Sequence, residues 1–164
     1  MADVGKIGVI LKLIDIVNEI SVISDYRSTV RKQFFNLSRR LKLLNPLFEE
    51  IRDVKEAVPD ESFRSLVSLM EALESAKELL RLGSEGSKIY LIDAVALEKE
   101  EIMKKYQEVT ERLEKDLEGI SFEKLDISDE VKEQVALVLA QFRRAKGRTD
   151  APDVELKRSF IPLR

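Results

Sequence analysis

Between Lys6 and Ile23 the chain is apolar on nearly every face of a helix. Ile7, Val9, Ile10, Leu11, Leu13, Ile14, Ile16, Val17 and Ile20 leave only Lys12, Asp15, Asn18 and Glu19 as a narrow polar strip. A helix that is apolar all round is stable only when other helices surround it. The remaining sequence must therefore supply several amphipathic partners, and it does. From about Ser28 to Glu56, Val30, Phe34, Leu37, Leu41, Leu44, Phe48, Ile51 and Val54 recur at three- and four-residue spacing on one face. At the rise of an α-helix this element would be about 43 Å long. Pro46 falls inside it, so a kink is expected near Leu43. Ser24 and Asp25 are the candidate N-caps ahead of it.

A third helix is expected from Asp60, with Phe63, Leu66, Met70, Leu73 and Leu80 as its stripe and Gly83 as a left-handed C-terminal residue. Gly83 to Ser87 reads as a connector. The short run Ile89-Tyr90-Leu91-Ile92 fits a strand or a helix start. With no partner strand elsewhere, it is placed at the head of a fourth helix that continues to about Glu118 through Ile102, Tyr106, Val109, Leu113 and Leu117. Ser121 to Asp126 forms one turn. Ser128-Asp129-Glu130 then opens a fifth helix with Val131, Val135, Val138, Phe142 and Ala145 as its stripe and Gly147 at its close. The expected fold is all-α: four long antiparallel helices plus a fifth C-terminal helix in a bundle, with no sheet. Residues 1–148 form the bundle, and 149–164, which lack any period, form a linker or tail that ends in the apolar Phe160, Ile161 and Leu163.

What the chain lacks narrows its chemistry. It contains no Cys and no His. Disulfides, thiolate or imidazole metal sites and Cys- or His-based catalysis are thereby excluded. The acidic face of the fourth helix (Glu98, Glu100, Glu101, Glu108, Glu111 and Glu114) occupies polar positions and reads as a solvated surface rather than a metal site. Gly83 to Lys88 lacks phosphate-loop spacing. No cofactor is expected. No apolar run approaches the ~18 residues of a membrane span, and the N-terminal residues lack a signal-peptide layout. The expectation is a cytoplasmic, non-enzymatic domain, with the plasma-membrane surface and the nucleus as further places it could visit.

Charge is unevenly distributed. Residues 1–50 carry a net +2, residues 51–141 a net −9 and residues 142–164 a net +4. Arg27, Arg31, Lys32, Arg39, Arg40 and Lys42 share a stretch without any acid, and Arg143, Arg144, Lys146 and Arg148 form a second cluster. Cations at a helix C-terminus complement the helix dipole and need no ligand, which is the preferred reading of the second cluster. In the first, a docking site and a solvated face are equally open. Arg39, Arg40 and Lys42 must share their helix with the buried stripe, so they are held rigidly on a face or rim where an acidic protein or anionic lipid could dock. These three, with Arg143, Arg144, Lys146 and Arg148, are the candidate binding residues; no nucleic-acid partner is expected.

Four runs point to a family: Leu13 to Arg27, Asn36 to Arg52, Gly86 to Ile92, and Leu125 to Arg148. Together they resemble the N-terminal domain of plant U-box, armadillo-repeat ubiquitin ligases, over roughly residues 6–150. The likeness is greatest to the subgroup associated with negative regulation of cell death and immune signalling. The resemblance implies an interaction module preceding a U-box, with receptor-like kinases, exocyst subunits and Rho-GTPase regulators among the partners. No Cys-Pro-Ile start of a U-box is present, so ligase activity is not expected within this chain. The Phe34-Phe35 pair stands where the family pattern calls for smaller apolar residues or Cys.

Overall fold

The computed structural model describes residues 2–28, 30–54, 57–84 and 99–150. Among them are six α-helices: α1 (Ala2–Ser21), α2 (Arg31–Lys42), α3 (Asn45–Asp53), α4 (Asp60–Leu82), α5 (Lys99–Glu118) and α6 (Asp129–Asp150). A 3₁₀ turn, Phe122–Lys124, sits between the last two. No strand occurs among the described residues. Their sole β-type pairing is an isolated bridge between Tyr26 and Ser84. The all-α expectation holds.

α1 is the hub. It packs against α2, α3 and α4; α4 in turn packs against α5, α5 against α6, and α6 returns to α3. The helices close a cycle around one continuous apolar core. Ile10, Leu13, Ile16, Val17 and Ile20 of α1 are completely or almost completely buried. Its burial is nevertheless not all-round. Leu11 is 45% exposed, and Ile14 is only half-buried at the core margin.

The long second helix is two helices. Pro46 sits in the first turn of α3, where its missing N–H has no intrahelical role. Its ring would crowd the preceding turn of a continuous helix. The chain instead tightens through Leu43 N–H to Arg40 C=O and Leu44 N–H to Leu41 C=O, both 3.1 Å, before α3 starts. Leu44, Leu47, Phe48 and Ile51 are still fully buried, so the expected stripe continues across the break.

Two glycine expectations are corrected. Gly147 does not end α6, which runs on to Asp150. Gly83 is not left-handed: its φ of −84° and ψ of −1° suit any residue. What requires glycine is space, because a Cβ here would collide with the edge of the Phe34 ring. The Gly83 carbonyl also accepts a hydrogen bond from Arg27 N–H at 2.9 Å, pinning the α1–α2 connector to the end of α4. Asp25 takes part in the same junction, accepting from Ser84 Oγ at 2.8 Å, and does not cap a helix. Val30 occupies the N-cap position of α2. The run Ile89–Ile92 and the tail 151–164 lie outside the described residues.

Candidate interaction surface

α2 presents two different basic groups. At about 100° per residue, Arg31, Lys32, Phe35, Arg39 and Lys42 fall within an arc of roughly 100°, and Arg40 lies well outside it. All five in the arc are exposed. Phe35, at the middle of the arc, is 52% exposed, although its neighbour Phe34 is fully buried. Phe34 is wedged edge-on to Tyr26 and stacked on Tyr106, with ring centroids 6.0 Å apart in both pairs.

The cations of this arc have no carboxylate partner among the described residues. Arg31 Nε donates to the Tyr26 carbonyl at 3.2 Å, which fixes the guanidinium at the helix start. Arg39 Nη2 reaches Asn36 Oδ1 at 3.4 Å on its own helix. No ion pair to a described residue involves Lys32 or Lys42. Beside Phe35 lies a shallow groove of about 600 Å³, bordered by Ser24, Tyr26, Arg31, Lys32 and Asn36.

Arg40 belongs to the interior seam instead. Its Nε donates to Gln141 Oε1 of α6 at 3.1 Å, and its guanidinium lies 6.0 Å from the centre of the Phe142 ring. Burial pushes the Tyr106 hydroxyl above its ordinary pKa, and the adjacent Arg40 charge partly offsets this. Arg40 thus ties α2 to α6 across 101 residues of chain.

The second cluster divides as well. Arg143 bridges α6 to α5, with its Nε donating to Glu114 Oε2 at 3.0 Å and its Nη2 contacting Glu118. Hydrogen bonds to Glu118 and Glu114 hold its pKa above the ordinary arginine value. Arg144 is exposed. Lys146 and Arg148 lie on the last turns of α6, with side chains outside the described residues.

Elsewhere, polar side chains are used to join helices. Lys77, almost wholly buried, places Nζ 2.8 Å from Glu19 Oε1 and 3.2 Å from Glu74 Oε1. These contacts raise the Lys77 pKa and lower that of Glu19. Ser128 caps α6 by accepting from Val131 N–H at 3.3 Å, while Glu50 of α3 accepts from both its N–H (2.8 Å) and its hydroxyl (2.7 Å). Lys6 Nζ donates to the Val54 carbonyl at 2.6 Å. Among the described residues, no acidic cluster converges as a metal site and no helix is long and apolar enough to cross a membrane.

Many of the polar groups described above join one helix to another, and the α2 strip stands out as an exposed, contiguous cationic face. The family follows from comparison with known proteins. The PUB10-like N-terminal domain profile matches residues 31–146, and the chain belongs to that family. It is 56% identical over 144 residues to U-box domain-containing protein 13 of Arabidopsis thaliana, a match covering 88% of this chain and 21% of the relative. To the E3 ubiquitin-protein ligase SPL11 of Oryza sativa subsp. japonica it is 50% identical over 141 residues, covering 85% and 20%. U-box domain-containing protein 12 of Arabidopsis thaliana is 47% identical over 153 residues, covering 92% and 23%. The chain therefore spans about a fifth of the length of these relatives, corresponding to their N-terminal region and not to the U-box. No solved structure matches it.

Proposed function

We propose that this chain is the non-catalytic protein-interaction domain of a plant U-box ubiquitin ligase. In this reading it acts in the cytoplasm and recruits substrates or regulators for ubiquitination linked to cell death and innate immunity. Receptor-like kinases, exocyst subunits and Rho-GTPase regulators are the partner classes that the family resemblance implies. The observation that carries the reading is the exposed strip of α2, where four cations and an aromatic ring remain free of carboxylate partners among the described residues. Exposed aromatic and arginine side chains are the types that most often carry binding energy between proteins.

A second reading is favoured by Phe35 itself, since an exposed ring among cations is also what an anionic membrane surface engages. Residues 51–141, however, carry a net −9, which opposes the approach of an anionic surface.

The test removes residues 1–150 from the full-length ligase and compares proteins carrying ubiquitin in plant cells with and without the deletion. Self-ubiquitination should persist while a defined set of targets is lost. An unchanged target set would overturn the recruitment reading.

A further inference from the structure

We propose that the groove beside Phe35 binds an acidic polypeptide segment carrying one apolar side chain. The apolar side chain seats in the groove, and its flanking carboxylates pair with Arg31, Lys32, Arg39 and Lys42. This deepens the interaction reading above and rests on it.

The argument begins with electrostatics. Four cations on about three turns of one helix repel one another, and none is offset by a carboxylate among the described residues. Elsewhere in the bundle, Lys12, Lys77, Arg81, Arg112 and Arg143 each reach at least one acid. A contiguous helix face that carries four exposed cations and no acid partner among the described residues is complementary to a negatively charged ligand. The strip extends roughly 17 Å along α2, the reach of about five extended residues. It therefore matches a short segment rather than a second folded face.

Shape selects a polypeptide over a bilayer. The space next to Phe35 is concave, about 600 Å³, and lined by Tyr26, Arg31, Lys32 and Phe35 with Ser24 and Asn36 at its border. A side chain of leucine or phenylalanine size can enter such a hollow. A membrane surface could engage the Phe35 ring but would leave the recess beside it unfilled, whereas a polypeptide side chain occupies both. Arg31 is already oriented by its bond to the Tyr26 carbonyl, so one wall of the groove is set before binding. Phe35 supplies the ring on which the incoming apolar group rests. Its exposure places over half of an aromatic side chain in water, where a partner can cover it.

The test uses this chain and fluorescein-labelled synthetic peptides of about ten residues. One has a single Leu flanked by Glu and Asp. A second replaces every acid by Gln or Asn, and a third replaces the Leu by Ser. Fluorescence anisotropy at low and physiological salt should show the acidic Leu peptide binding at least tenfold tighter than either control, and weakening as salt rises. Phe35→Ala should lose about tenfold, and Arg39→Glu with Lys42→Glu at least as much. Thermal melts serve to confirm that each variant keeps the parent fold. Lys124→Glu, an exposed cation in the 3₁₀ turn between α5 and α6, should bind like the parent.

Equal binding of the acidic and neutral peptides, or full binding by the folded variants, would overturn the proposal. So would binding to phosphatidylserine vesicles that is lost in the same variants while the peptides fail, which would assign the strip to a membrane. The recruitment reading is tested separately by deletion of residues 1–150. If the deletion changes the target set but the acidic peptides do not bind, only the acidic-segment inference falls. If the peptides bind and the target set is unchanged, the groove stands and recruitment falls.

Discussion

Gly83→Ala tests whether space or backbone geometry makes glycine necessary at the end of α4. A left-handed residue would make alanine costly through strain, but Gly83 has a φ of −84°, which alanine adopts freely. On backbone grounds the substitution should stabilise the fold by about 0.4–1 kcal/mol, by restricting the unfolded chain. Against that stands the Phe34 ring, into whose edge the new methyl would project, with Val30 Cγ2 only 3.2 Å away. Phe34 is completely buried and held between Tyr26 and Tyr106, so the ring has nowhere to swing. Overpacking of this kind costs about 1–3 kcal/mol. The net expectation is a loss of about 1–2 kcal/mol, or roughly 2–8 °C in melting temperature for a chain of this size. The discriminating measurement is a double-mutant cycle by urea denaturation followed by circular dichroism. In a Phe34→Leu background the ring is gone, and Gly83→Ala should be neutral or mildly stabilising. The coupling between the two sites should then be about 1–3 kcal/mol. An identical loss in both backgrounds would refute the packing argument and return the explanation to the backbone.

Other substitutions probe the remaining assignments. Leu13→Ala should cost about 2–5 kcal/mol because the side chain is fully enclosed among helices, whereas Leu11→Ala should cost far less; equal urea midpoints would contradict the picture of α1 as a hub with one open side. Arg40→Ala should lose about 1–2 kcal/mol through its Gln141 hydrogen bond and Phe142 contact. Lys42→Ala should stay within about 0.5 kcal/mol, and a silent Arg40→Ala would return that residue to the solvated strip. Burial raises the Asp116 pKa above its ordinary 3.8, so the folded state holds this proton more tightly than the unfolded chain does. Its contribution favours folding most at acid pH and is lost as pH rises through the raised value. Asp116→Asn should flatten that part of a pH–stability profile, and an unaltered profile would contradict the assignment.

Much of the fold could be read from residue spacing because helix periodicity is local. The stripe from Val30 to Val54 is buried as its three- and four-residue steps require. Where the reading failed, the deciding interaction was not local. Gly83 looks like a helix terminator in sequence, and only the approach of Phe34, 49 positions earlier, explains it. Gly147 and Pro46 show that a breaker residue marks a cost without fixing its outcome: α6 passes through one, and the other divides a helix instead of bending it. The basic run is visible in the sequence, and part of its partition follows from helix geometry. The helical angle alone separates Arg40 from Arg39 and Lys42 and brings Arg31, Lys32 and Phe35 into the same arc. That Arg143 is occupied by Glu114 and Glu118 depends on how α5 meets α6, which no stretch of sequence near Arg143 encodes.

The Glu50–Ser128 contact couples the start of α6 to α3. The Ser128 amide and hydroxyl hydrogens both go to Glu50, while its hydroxyl oxygen secures the first turn of α6. The coupling is reciprocal, so loss of either helix weakens the hold on the other, while α3 keeps its packing on α1 and α6 its packing on α5. Ser128 itself is exposed, whereas Leu13 and Leu73 lie fully buried in the core shared by α1 and α4, so the start of α6 is the more easily opened place. In native-state hydrogen exchange, the amides of Val131 and Lys132 would open at lower free energy than those around Leu13 and Leu73. Any event that displaced Glu50 would be felt at the first turn of α6, 78 residues away.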